Sequence, residues 1–111
     1  MRMTAPVLAA GLAACSPRAV RYAAPDLASR LPASVAVLPF DNESVSLKGP
    51  LMVRKLASEA LAARGFAQPE AADVDAGLGR LGVTDGGQMR ALDPKKVGEA
   101  VGAPGLLFGT L

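Results

Sequence analysis

Apolar runs and stretches of helical spacing divide the chain into alternating strands and helices. Val35-Ala36-Val37-Leu38 is a continuous apolar run ended by Pro39, the pattern of a strand buried on both faces. Asp41-Asn42-Glu43-Ser44 follows as a polar turn. Gly49-Pro50 opens a helix, with proline in the first position, where its missing N–H costs nothing. Within it Val53, Leu56, Ala57, Ala60, Leu61 and Arg64 recur at helical spacing as the inner face, and Arg54, Lys55, Ser58 and Ala62 take the other side. Gly65 stands where a left-handed residue would close the helix, and Phe66-Ala67 begins a brief second strand before Pro69.

Residues 69–81 are compatible with a short helix, although Gly77, Gly79 and Gly82 each weaken it by about 1 kcal/mol relative to alanine. Thr84-Asp85-Gly86-Gly87 is a turn, followed by a short helix through Leu92. Asp93 caps a further helix with Pro94 in its first position, Val97, Ala100 and Val101 as its face and Gly102 as its stop. Leu106-Leu107-Phe108 is a third strand. Strands that alternate with helices imply parallel pairing through right-handed crossovers, so the expected class is α/β, a small partly parallel sheet with helices packed on it. The third strand runs to the last residues of the chain and leaves an unpaired edge and an uncovered face. The expectation is therefore a truncated chain, with residues 35–111 an incomplete domain.

The start of the chain has a different character. Met1-Arg2-Met3 supplies one positive charge, an apolar stretch runs from Thr4 to Ala14, and small residues stand just before Cys15, the layout of a secretory signal with a small-residue cleavage site. The stretch is too short to span a bilayer, which needs roughly 20 apolar residues in a helix. Leu12-Ala13-Ala14-Cys15 resembles the bacterial lipobox, in which the leader is cut before the cysteine and the thiol and new amino group carry acyl chains. Ser16 follows. In signals of this type aspartate at that place retains the protein at the inner membrane, so serine points to the periplasmic face of the outer membrane. Two or three acyl chains, at about 0.8 kcal/mol per buried CH₂, make release negligible. Residues 1–14 are then a signal peptide. Residues 15–34, with Pro17, Pro25 and Pro32 and no sustained periodicity, are the acylated cysteine and an extended tether that reaches roughly 60 Å at most.

Composition narrows the chemistry. Twelve Lys and Arg against ten Asp and Glu, scattered along the chain, argue against a nucleic-acid partner, because phosphate binding needs a clustered basic surface. The single cysteine allows no disulfide within the chain. One Tyr, three Phe and no Trp make a stacking platform for bases or sugars implausible. Histidine is absent, and no Ser or Asp has an evident base or orienting partner, so no catalytic set, metal or cofactor is expected.

Three segments together carry a resemblance: residues 33–44 (Ala-Ser-Val-Ala-Val-Leu-Pro-Phe-Asp-Asn-Glu-Ser), residues 81–88 (Leu-Gly-Val-Thr-Asp-Gly-Gly-Gln), and Val101-Gly102-Ala103 leading into Leu106-Leu107-Phe108-Gly109-Thr110. They look like the genome-derived neisserial antigen family of bacterial lipoproteins, which has no established activity. The resemblance spans roughly residues 32–111 and implies a fold like the TolB N-terminal domain and CsgG-like lipoproteins. It further implies a CsgG-like envelope lipoprotein as partner, room for an oligomer, and more strands beyond Gly109-Thr110.

Three local patterns remain. Gly77-Leu78-Gly79-Arg80-Leu81-Gly82 matches G-x-G-x-x-G, but it neither follows a buried strand nor opens a helix, so it reads as a loosely structured loop and not as a dinucleotide site. Thr84-Asp85-Gly86-Gly87 offers one carboxylate where Ca²⁺ wants six to eight oxygens, so it reads as turn and cap. Asp41, Asn42, Glu43 and Ser44 lie at the carboxyl end of the first strand, where open α/β sheets place ligands, and are the best candidate interaction surface; the alternative is that they cap the turn into the helix. The expected role is an outer-membrane lipoprotein that is not an enzyme and serves as accessory subunit of an envelope export or assembly complex. The competing readings are a lipoprotein activator of a peptidoglycan synthase and, remotely, an unrecognised hydrolase.

Overall fold

The computed structural model describes residues 22–111. Its elements are α1 (Leu27–Arg30), β1 (Val35–Val37), α2 (Gly49–Ala63), α3 (Ala71–Arg80), a 3-10 helix (Gly86–Ala91), α4 (Pro94–Val101) and β2 (Gly105–Leu107). The expected mixture of strands and helices is present, with a two-stranded parallel sheet in the register Val35↔Gly105, Ala36↔Leu106 and Val37↔Leu107.

β1 lies in the middle. Val35 donates its N–H to the Ala67 carbonyl at 2.9 Å, and Ala67 donates to Ala33 at 3.3 Å, so Ala67 flanks β1 on the side away from β2. The second strand expected at Phe66-Ala67 is thus a single bridge. Beyond Pro39, which has no N–H to give, the pairing resumes: Asp41 donates to Gly109, Leu111 to Asp41, and Glu43 to Leu111, all within 2.9 Å. On its Ala67 side β1 is met by that single bridge and, at the Val37 carbonyl, by the side chain of Arg54, and with these partners it is buried completely.

The core follows from the alternation of β1. Ala36 and Leu38 face a cluster with Val74 and Leu78 of α3, Met89 of the 3-10 helix, Val97 and Val101 of α4, and Ala103. Val35 and Val37 are buried too but point elsewhere, and Val37 lines the cleft beneath α2.

The helix ends behave as local chemistry dictates. The Asp93 carboxylate accepts the Lys95 N–H at 3.0 Å at the start of α4, and Gly102 ends it at φ +73°. Gly65 follows α2 at φ +84°. Two expectations are corrected. The G-x-G-x-x-G stretch, read as a loosely structured loop, lies largely inside α3, the helix that residues 69–81 allow; Val74 and Leu78 of α3 are among the most deeply buried side chains, and their burial outweighs the glycine penalty. The stretch read as an extended tether also contains one helical turn, α1, with an exposed Arg30–Asp26 pair at 3.7 Å.

The third correction concerns α2. None of its residues is fully buried. Its inner stripe is Pro50, Val53, Arg54, Ala57, Ser58 and Leu61, so the helix is rotated from the expected face: Arg54 and Ser58 turn inward, while Leu56, Ala60 and Arg64 turn outward. Two polar anchors hold that rotation. Arg54 Nε donates to the Val37 carbonyl at 3.1 Å, and Ser58 exchanges two bonds with Gln68, its hydroxyl to Oε1 at 2.7 Å and its carbonyl from Nε2 at 2.8 Å.

Candidate functional site

The polar exit of β1, Asp41 to Ser44, is held by side-chain bonds, with Asp41 half-buried and Asn42, Glu43 and Ser44 exposed. Asn42 organises the turn: its Oδ1 accepts the Ser44 N–H at 3.0 Å and the Ser44 hydroxyl at 2.6 Å, and its Nδ2 donates to the Ser46 carbonyl at 2.8 Å. Ser46 Oγ then accepts the Gly49 N–H at 3.0 Å, at the first turn of α2. Asp41 and Glu43 meet Arg90 of the 3-10 helix. One guanidinium nitrogen, Nη2, reaches Thr110 Oγ1 at 2.8 Å, Asp41 Oδ2 at 3.3 Å and Glu43 Oε1 at 3.4 Å. Three oxygens around one nitrogen make a loose cluster, and with Arg90 and Glu43 mostly exposed its contribution to stability is below about 1 kcal/mol. Asp41 is the more shielded acid, its side chain 23 % exposed, and the cluster ties the β1 exit to the end of the β2 path.

Thr84-Asp85-Gly86-Gly87 packs against the same exit. Asp85 caps the 3-10 helix by accepting the Gly87 N–H at 2.9 Å, and Gln88 reaches back to the main chain of Thr84 and Asp85, completing a capping box. Gly86 lies so close to the Phe40 carbonyl that a Cβ there would overlap it. The turn-and-cap reading of this motif holds. The G-x-G-x-x-G sequence likewise has a packing role: a Cβ on Gly77 would overlap the Ala100 carbonyl of α4, so glycine lets α3 and α4 approach backbone to backbone. These glycines lie inside and after a helix, where no N-terminal amides are free to receive a phosphate.

A feature outside the sequence reading is the cleft between α2 and α3, of about 400 Å³, which continues past Leu51, Arg54 and Asp75 into a neighbouring hollow of about 320 Å³. Arg54 crosses it. Its side chain is 13 % exposed, and Nη2 stands 2.8 Å from Asp75 Oδ1 in a charge contact whose angle is not that of a hydrogen bond. Asp75 compensates the arginine, and Lys55 and Glu59 also line the cleft, so its charges are of both signs. The sequence carried one signal for this arrangement, a lone arginine i+1 and i−3 from the small apolar positions Val53 and Ala57.

The outer side of α2 is more unusual. Val45 and Leu47 are essentially fully exposed in the loop before the helix, and Leu51, Met52 and Leu56 are each more than half exposed. Leu12, Ala13, Ala14, Cys15 and Ser16 lie outside the described residues. Among the described residues no helix is long and apolar enough to cross a membrane, and no cluster of acidic or sulfur ligands fits a metal ion. Comparison with family models, with curated proteins and with solved structures finds no match for this chain.

Proposed function

We propose that this chain is a lipoprotein held at the periplasmic face of the outer membrane by acyl chains on Cys15, and that its α/β domain is a non-catalytic accessory subunit of an envelope export or assembly complex. The observation that carries the proposal is the sequence Leu12-Ala13-Ala14-Cys15-Ser16 at the end of a short apolar leader, with the chain's single cysteine at the cleavage point. Two further facts support it. The fold is the coarse one expected, helices with a small two-stranded parallel sheet, and the finer likeness to the genome-derived neisserial antigen lipoproteins, and to TolB-N-terminal and CsgG-like folds, rests on the sequence segments alone. The carboxylates with the best position for chemistry, Asp41 and Glu43, share one guanidinium nitrogen of Arg90, which also donates to Thr110 Oγ1, and this suits a structural joint better than acid/base work.

Metabolic labelling with a clickable fatty acid tests the anchor: wild type takes up label and fractionates with outer membrane, and Cys15→Ala does neither. Unlabelled wild-type protein overturns it. Mild detergent extraction tests the role, with co-purification of a CsgG-like envelope lipoprotein expected and a monomer that brings down no partner counting against it.

A further inference from the structure

We propose that the cleft between α2 and α3 is a binding site for a small zwitterion, a free α-amino acid with an apolar side chain, whose carboxylate is received by Arg54 and Lys55 and whose ammonium group is received by Glu59. The proposal concerns the folded domain and does not depend on how the chain is anchored.

The cleft has the dimensions of a ligand site. Its volume of about 400 Å³ falls within the roughly 300–1,000 Å³ typical of small-molecule pockets, and like them it sets a few polar groups among apolar ones. Val37 and Val74, both buried, and Pro69 supply the apolar part. The two bonds between Ser58 and Gln68 hold one wall in place before any ligand arrives, which lowers the ordering cost of binding.

Much of the hydrogen-bonding capacity of Arg54 is unused. Nε donates to the Val37 carbonyl at 3.1 Å. Nη2 is buried and stands 2.8 Å from Asp75 Oδ1 without making a hydrogen bond, and Nη1 has no hydrogen-bond partner among the described residues. Asp75 thus balances the charge of the guanidinium and leaves N–H groups of its planar fork unpaired, a donor set suited to a carboxylate.

The remaining charges decide the class of ligand. Lys55 and Glu59 stand one turn apart on α2 and both line the cleft, yet among the described residues neither takes part in an ion pair, with the other or with any third group. Arg54 and Lys55 against Glu59 and Asp75 bring the net charge of the cleft to zero. A phosphate, a nucleotide or a polyamine brings charge of one sign and would leave half of this set opposed. A molecule that carries a carboxylate and an ammonium group matches it.

The test is calorimetric titration of the full chain with leucine, methionine and phenylalanine and with their N-acetyl and carboxamide forms, with amide shifts in NMR spectra to locate the ligand. At least one free amino acid is expected to bind, to shift the amides of Ser58, Gln68 and Ala71, and to lose about 10-fold or more in affinity when either end is capped. Lys55→Gln and Glu59→Gln should each weaken binding about 3- to 10-fold, and Lys96→Gln of α4 should leave it unchanged. Both cleft side chains are exposed and unpaired, so their replacement leaves the fold intact, as an unchanged urea midpoint would show. Failure of all three amino acids to bind, binding that survives both substitutions, or shifts confined to other elements overturns the proposal. Equal binding of the N-acetyl form makes the cleft a site for carboxylates alone and overturns it as well. None of these outcomes alters the result of fatty-acid labelling at Cys15.

Discussion

Gly77 and Gly79 stand two residues apart in α3 under opposite demands. A methyl group on Gly77 would overlap the Ala100 carbonyl, whereas one on Gly79 would meet nothing within 4 Å. Gly77→Ala should therefore cost about 1–3 kcal/mol by forcing α3 from α4, and Gly79→Ala should add up to about 1 kcal/mol through better helix propensity. Urea midpoints of the two variants against wild type check both signs. The caps were readable because they are local: Asp85 with Gln88 and Asp93 with Pro94 make their bonds within a few residues. The purpose of Gly77 was not, because its partner lies 23 positions away and leaves no mark in the neighbouring sequence. For the same reason the sequence did not show that Arg90, itself bonded to Thr110, meets Asp41 and Glu43 from a distant part of the chain.

At the scale of the element, α2 shows what periodicity can and cannot decide. Helical spacing identified the helix and three of its inner positions, Val53, Ala57 and Leu61. It did not settle which neighbouring row accompanies them, because an apolar row on one side and an Arg/Ser row on the other were both available. The Val37 carbonyl, Asp75 and Gln68 select the polar row. Arg54→Met should cost about 1–3 kcal/mol, since it removes the donor to Val37 and strips Asp75 of its partner. Arg54→Lys should recover little of it, because one ammonium replaces a fork that serves two oxygens in different directions. A double-mutant cycle with Asp75→Asn should give a coupling of about 0.5–2 kcal/mol. On the outward row Leu56→Ala should stay within about 0.5 kcal/mol of wild type, and on the core side Leu78→Ala should lose about 2–5 kcal/mol. Equal losses at 56 and 78 would mean that α2 packs the other way round.

For the molecule as a whole, the buried cluster belongs to β1, α3, α4 and the 3-10 helix, with α2 attached through β1 and a few polar anchors. Local opening follows burial, so the amides of α2 should exchange with solvent through openings of clearly lower free energy than those of β1, α3 and α4; native-state hydrogen exchange as a function of denaturant reads the difference directly. A single opening energy for all four elements would contradict this division. By itself the sequence determined the order of β1, α2, α3, the 3-10 helix, α4 and β2, the helix stops at Gly65 and Gly102 and the burial of Val35 to Leu38, all of which rest on spacing, propensity or short-range bonds. The tertiary structure alone decided the rotation of α2, the single bridge where a strand was expected, the capture of Asp41 and Glu43, and the exposure of Val45 and Leu47. Each of these depends on a partner brought near by folding, and no pattern within a few residues encodes where such a partner will be.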